Sequence, residues 1–316
     1  MAQMNETGRP GVIDAAPVRH PWRLVALALI AIVVAMMLSS FITNRRWDWG
    51  FAFQIMNQTP VLEGMWRGTI IGTVGAMIIG VGLGIIIAIM RLSENPVLKW
   101  VSFVYTWFFR AIPRYVLLSI IGTGVGYLYS TLRVGVPFGQ QFAGALGLSS
   151  DLTFFGIDVN TLSNSIIAGI IGLGLSEAAY MAEIARAGIL SVDKGQAEAA
   201  QALGMSGGRT MRRIVLPQAM RVILPPTGNE AIAMVKDTSL LAAIPIIAEL
   251  FYQTSAIGTR TLRIMPAFVA ATLWYLIICS ILMVGQFYLE RHFGRGFGQK
   301  KPKNKRFARA GGMGGA

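Results

Sequence analysis

Gly68-Thr69-Ile70-Ile71-Gly72-Thr73-Val74-Gly75-Ala76-Met77-Ile78-Ile79-Gly80-Val81-Gly82-Leu83-Gly84-Ile85-Ile86-Ile87-Ala88-Ile89-Met90 contains no charged residue. A helix rises about 1.5 Å per residue, so roughly 20 residues cross the hydrocarbon of a bilayer. The stretch has that length. It also places a small residue at every fourth position, through Gly64, Gly68, Gly72, Ala76, Gly80, Gly84 and Ala88. Small-xxx-small stripes let helix backbones approach closely where no hydrophobic force drives association. The stripe therefore predicts a membrane helix buried among others.

Residues 24–44, 115–132, 159–176 and 264–289 are equally free of charge, and 238–259 is interrupted only by Glu249. The spacing predicts six helices, at about 24–42, 68–90, 100–128, 160–187, 238–256 and 267–289. Composition agrees: 54% of the 316 residues are hydrophobic and 14% charged, against roughly 25% charged in soluble domains. So apolar a chain has too few polar residues to cover a water-soluble core. Disorder, collagen and disulfide scaffolds are excluded. One cysteine and two distant histidines leave no basis for zinc chemistry. The first apolar run is too long for a signal peptide and is followed by a poor cleavage site, Met37-Leu38-Ser39-Ser40.

Lys and Arg set the orientation. With the N-terminus inside, 20 of the 28 Lys and Arg residues fall on cytoplasmic segments and six on outer loops; Arg110 and Arg114 lie within the third span. Both termini are therefore expected in the cytoplasm. The bias also accounts for the net charge of +13. The basic tail around Lys300–Arg309 suits anionic headgroups rather than nucleic acid.

Four charges sit inside predicted spans. Arg110 and Arg114 share one helical face on either side of Pro113. One reading is a long kinked helix with its arginines on a polar pathway. Another is an interfacial helix ending near Phe109, with both arginines reaching the headgroups. Residues after Arg114 barely span alone, which favours the kinked helix. Glu177 and Glu249 are the intramembrane acids. Such groups face a bundle interior or cavity, so each could meet solute or pair with a polar neighbour.

The loop between the fourth and fifth spans holds Asp193-Lys194-Gly195-Gln196-Ala197-Glu198-Ala199-Ala200-Gln201-Ala202-Leu203-Gly204. Asp193 with Gln196 reads as a helix start, and Gly204 as a left-handed stop. A short cytoplasmic helix could dock a partner or lie on the membrane. A second helical stretch follows through Arg212 and Arg213 to Ala219.

These residues resemble the EAA loop of ABC-importer permeases. Glu198-Ala199-Ala200, Gly204, Ile214 and Leu216-Pro217 stand at that motif's spacing. Glu177-Ala178-Ala179 is a decoy, because Glu183 stands where the motif needs glycine. The polar amino-acid uptake branch is resembled in Ala179-Tyr180-Met181-Ala182-Glu183-Ile184, Lys194-Gly195-Gln196, Leu216-Pro217-Gln218-Ala219 and Lys236-Asp237-Thr238-Ser239-Leu240.

The resemblance implies an all-α polytopic protein with a five-helix permease core over 64–292 and an extra N-terminal helix within 24–63. It implies a cytoplasmic EAA loop at about 188–236, and tails at 1–23 and 293–316. It further implies two ATPase subunits on the EAA loops, a second permease, an external solute-binding protein and an amino-acid solute, in a bacterial inner membrane. ATP and Mg would be used by the partner, with no cofactor on this chain. Consistently, the chain has no Gly-Lys dipeptide and hence no P-loop. The family's third-span pattern is Phe-Arg-Gly-Thr-Pro; here Phe109-Arg110-Ala111-Ile112-Pro113-Arg114 replaces Gly-Thr and adds a charge. The alternative from another class is a secondary transporter or channel that uses Arg110, Arg114, Glu177 or Glu249 as an ion relay without an ATPase.

Overall fold

Helix α1, Pro21–Thr43, is apolar on every side, the pattern of a helix surrounded by apolar medium rather than one with a single buried face. A single 3-10 turn, Arg45–Trp47, follows it, started by Asn44, whose side chain accepts from the Arg46 N–H at 3.0 Å. These elements belong to one compact unit that ends at Asp48, and a second begins at Trp49. The computed structural model describes residues 21–147, 152–163, 165–244 and 248–293. His20 and the basic tail lie outside them.

The second unit begins with α2, Trp49–Met56. Helix α3 runs Thr59–Leu92 and includes one wide turn at Met65–Ile70. Pro60 sits in its first turn, where a missing N–H costs nothing. Asn95 caps α4, Pro96–Ala111, by accepting from the Val97 N–H at 2.9 Å. Helix α5 is Arg114–Leu128. An antiparallel hairpin follows: β1, Thr131–Gly135, pairs with β2, Thr153–Asp158, with Thr131 opposite Asp158 and α6, Gly139–Ala145, between the strands. A one-turn helix α7, Val159–Ser163, leads into α8, Ile166–Leu190. Then come α9, Lys194–Ala202, and a continuous helix α10 over residues 207–237. A 3-10 turn, Thr238–Ala243, precedes α11, Leu250–Thr261, and α12, Ile264–Phe293.

The small-residue stripe of α3 is buried along its whole length, at Gly64, Gly68, Gly72, Ala76, Gly80, Gly84 and Ala88. A Cβ on Gly84 would lie 2.6 Å from the Met181 Cβ, and one on Gly64 3.1 Å from the Glu249 backbone. The stripe thus seats α8 on one stretch and the segment before α11 on another. Ala76, Leu118, Leu173, Met234, Leu241 and Ile244 join α3, α5, α8, α10 and the 3-10 turn in one apolar cluster. Tyr105 on α4 donates to the Leu175 carbonyl at 2.8 Å, a carbonyl of α8.

Among the described residues, four helices are long and apolar enough to cross a membrane: α1, α3, α8 and α12. The predicted count of six is not reproduced, for two reasons. The third span is not one kinked helix over 100–128. It is a pair, α4 and α5, bent by 99° across Ile112 and Pro113. A residue before proline is driven out of the helical region, and Ile112 is extended at φ −81°, ψ 130°. Counting the pair as one span gives five. The predicted span 238–256 is instead a 3-10 turn and the 12-residue α11. Its apolar composition reflects burial of Leu241, Ile244 and Leu250 in protein.

Candidate functional site

The loop helix forms where its caps predict. The Gly195 N–H donates to Asp193 Oδ1 at 2.7 Å, opening α9. At the other end Gly204 adopts φ +78°, and the chain closes through Gly204 N–H to Gln201 O at 2.8 Å and Met205 N–H to Ala200 O at 3.0 Å. That pair of bonds is the Schellman closure, which a left-handed residue makes possible. Ala200 is buried, while Glu198, Ala199, Gly204, Leu216 and Pro217 are exposed and Ile214 half-buried. Helix α9 packs on Met211–Val215, the wide turn of α10. The exposed face therefore combines a carboxylate, small residues and apolar Leu203 and Leu216. Gly204-Met205-Ser206-Gly207-Gly208 has the Gly-x-Ser-x-Gly spacing of a hydrolase elbow. That device needs a strand before the serine, and here helices flank it on both sides.

A second constellation lies against the middle of α8. Arg114 opens α5 at the 99° break and donates Nη2–H to Glu177 Oε2 at 2.9 Å; its Nη1–H donates to Asp237 Oδ2. Glu177, on α8, is fully buried. Gly80 on α3 clears its place, since a Cβ there would stand 2.6 Å from Glu177 Cγ. Asp237 ends α10. Tyr180, one turn beyond Glu177, presents its ring to two guanidinium groups, with Arg114 at 4.9 Å and Arg110 at 5.4 Å from the centroid. An arginine over an aromatic face gains from the ring quadrupole. Removing one member would leave a buried charge uncompensated. The cluster joins Arg110, Arg114 and Glu177, three residues singled out from sequence, to Asp237 and Tyr180. Those two stood in the stretches that carry the resemblance, but nothing local marked them as partners.

Glu249 lies elsewhere. It is fully buried and stands before the first turn of α11, where the Tyr252 N–H donates to Oε2 at 3.1 Å. Oε1 accepts from the Tyr275 hydroxyl at 2.6 Å and from the Thr69 hydroxyl at 3.1 Å. Both carboxylate oxygens are thus engaged. The residue clasps α3, α11 and α12, and it is a cap rather than a position inside a helix.

Residues 80–295 match the family described as the binding-protein-dependent transport system inner membrane component. The chain belongs to this family. The permease is 44% identical over 295 residues to the arginine transport system permease protein ArgU of Corynebacterium glutamicum, covering 92% of this chain and 86% of that one. It is 35% identical to the L-cystine transport system permease protein TcyB of Bacillus subtilis, over 75% of this chain and 88% of that one. Among solved structures it is similar to an amino acid ABC transporter crystallised with histidines, at 29% identity and a TM-score of 0.58, covering 74% of the permease and 94% of that chain. The permease is thus a multi-pass inner-membrane subunit of an ABC importer, with the type I importer fold.

Proposed function

We propose that this permease carries amino acids into the cell, driven by ATPase subunits that grip it at residues 198–217. The reading is carried by α9. It is a short helix with an exposed Glu198-Ala199 face, closed by a left-handed Gly204 and packed on the helix that runs to Asp237. Glu198 hydrogen-bonds or salt-bridges at the rim of the ATPase groove, Ala199 and Ala200 pack toward it, and Gly204 sets the turn. Ile214, Leu216 and Pro217 continue the contact. ATP and Mg act in the partner. The solute class is supported by relatives named for arginine and for L-cystine.

Closure of the ATPase pair pushes α9 and, through α10, the cluster at Arg114, so that the bundle alternates between outward- and inward-facing states. Both termini lie in the cytoplasm, a second permease completes the pathway, and an external binding protein delivers the solute. The pathway runs past Arg110, Arg114 and Glu177. Glu249, with both oxygens engaged, holds the bundle beside it.

The test is reconstitution of the permease with its ATPase subunits and binding protein in proteoliposomes. Glu198→Lys and Gly204→Asp abolish solute-stimulated ATP hydrolysis and uptake while the permease still folds. Normal stimulation in both variants would sink the docking assignment. Uptake that persists without ATP and collapses with a protonophore would favour an ion-coupled carrier instead.

A further inference from the structure

The hairpin β1–β2 joins the end of α5 to the start of α8, so it stands at the opposite end of α8 from α9. Helix α8 has 25 residues, about 37 Å at 1.5 Å per residue, which is enough to cross a bilayer. The hairpin is held close to that far end. Two residues, Tyr129 and Ser130, separate α5 from β1, and α7 follows β2 directly. The Val159 N–H donates to the Ser130 carbonyl at 3.0 Å and closes the hairpin's base. Two extended residues reach about 7 Å, and the headgroup layer is about 5–7 Å deep on each side of the hydrocarbon. The base of the hairpin therefore starts within that layer.

The strands are two-faced. Leu132 pairs with Ile157 and Val134 with Phe155 on one face, while Thr131 pairs with Asp158 and Arg133 with Gly156 on the other. Val134, Phe155 and Ile157 are exposed and Leu132 is half-buried. Apart from each other, the strands pack mainly on the one-turn α7. A two-stranded hairpin with nothing on its apolar face is marginally stable at best. The tip repeats the pattern. Phe138, Phe142 and Leu146 stand four residues apart around α6 and are 73%, 52% and 70% exposed. Tyr127, Leu128 and Tyr129, also exposed, carry the same apolar character back to the end of α5.

We propose that the hairpin is an interfacial anchor, seated with the apolar face of its strands and the α6 stripe in the outer leaflet of the bilayer. Three observations choose lipid over a protein partner. First, residues 127–158 hold three charges, Arg133, Asp151 and Asp158, and the two within strands lie on the polar face. Second, the apolar surface adjoins the end of a broken span, and the tyrosines at that junction are of the type that gathers at membrane–water interfaces. Third, an external solute-binding protein docks and departs in each cycle. A surface reserved for it would stand bare in water between visits, and soluble surfaces rarely expose so apolar a patch. Lipid covers it throughout. An amphipathic element of this kind sinks its apolar face about 5–10 Å into the boundary between headgroups and acyl chains. The side of the membrane rests on the reading of α9 as the ATPase dock; the choice of lipid does not.

The measurement is depth-dependent fluorescence quenching. Cys279 is buried, so a thiol-reactive NBD dye reports on introduced cysteines, with the unsubstituted complex as blank. Val134→Cys, Phe155→Cys and Phe142→Cys label the apolar side and Thr131→Cys the polar side. Each is made in the permease–ATPase complex and reconstituted in vesicles of phosphatidylcholine and phosphatidylglycerol. Phosphatidylcholine carrying a doxyl group at acyl carbon 5 is expected to quench the three apolar-side labels, and aqueous iodide to quench them at least about 3-fold less than the Thr131→Cys label. Val134→Cys and Phe142→Cys sit on separate elements, so either decides the matter if the other fails to fold. Equal iodide quenching at all four positions overturns the proposal. So does shielding that appears only when the binding protein is added, which would assign the face to that protein, or shielding from both quenchers, which would assign it to a second copy of the permease. ATP-driven uptake in the same vesicles reports separately on whether the permease reading stands.

Discussion

The clasp at Glu249 gives the sharpest energetic prediction. Tyr275→Phe removes one short hydrogen bond, 2.6 Å, to a buried carboxylate. A hydrogen bond to a charged group contributes about 1.5–3 kcal/mol, so the variant loses that much stability. Glu249→Ala removes the acceptor of three donors at once: the Tyr275 hydroxyl, the Thr69 hydroxyl and the Tyr252 N–H. Each donor left unsatisfied costs about 1–3 kcal/mol. Deleting the carboxylate also relieves its own desolvation, which is several kcal/mol for a buried ion. A net loss of about 2–5 kcal/mol remains, of which roughly 1 belongs to the lost helix cap. The two changes must be strongly coupled. On the Glu249→Ala background the Tyr275 hydroxyl retains only the neutral Thr69 and Thr238 hydroxyls as partners, so Tyr275→Phe costs clearly less than in the native protein. Reversible unfolding in mixed micelles, followed by tryptophan fluorescence, measures the four proteins of the cycle. An equal cost for Tyr275→Phe with and without Glu249 would refute the clasp.

Three further outcomes follow from the same contacts. Gly80→Leu drives a side chain into Glu177 and prevents α3 from seating on α8, so folded yield collapses, whereas Gly82→Ala meets no atom within 4 Å and changes stability by less than about 1 kcal/mol; size-exclusion profiles separate the two. Gly204→Ala must hold a left-handed backbone at φ +78° with a Cβ, which costs about 1–2 kcal/mol and frays the end of α9; the expected result is an intact fold with reduced solute-stimulated ATP hydrolysis. Arg114→Met leaves Glu177 buried without its counter-ion and destabilises by about 3–5 kcal/mol, and adding Glu177→Gln restores most of the loss in chemical unfolding.

Local chemistry was legible and distant pairing was not. The charge-free runs around α1, α3, α8 and α12 are legible as membrane helices because length and composition are sufficient for that, and each run is a long apolar helix in the structure. The caps of α9 could be read because Asp193 and Gly204 act within a turn of their own position. The stripe of α3 announced close packing but could not name α8 as its partner. At the broken third span the signal is local: Pro113 marks a disturbance of the helix, and its effect on Ile112 is to end the helix outright. Residues 238–256 read as a span because apolar composition does not distinguish lipid from protein as the covering medium. Glu249 meets Thr69 across 180 positions, and Arg114 meets Asp237 across 123. No periodicity carries information over such separations.

Helix α10 runs from residue 207 to residue 237 with the wide turn Met211–Val215 and the Pro225-Pro226 pair inside it. At 1.5 Å per residue it is about 46 Å long, with the turn that packs on α9 at one end, the Asp237 carboxylate at the other, and between them that proline pair, whose missing N–H groups mark where it can bend. Tilting such a rod by about 5° around its midpoint carries each tip roughly 2 Å. A displacement of that size is enough to part a carboxylate from a guanidinium, so a small rocking motion at the α9 end is felt at the Arg114–Asp237 pair.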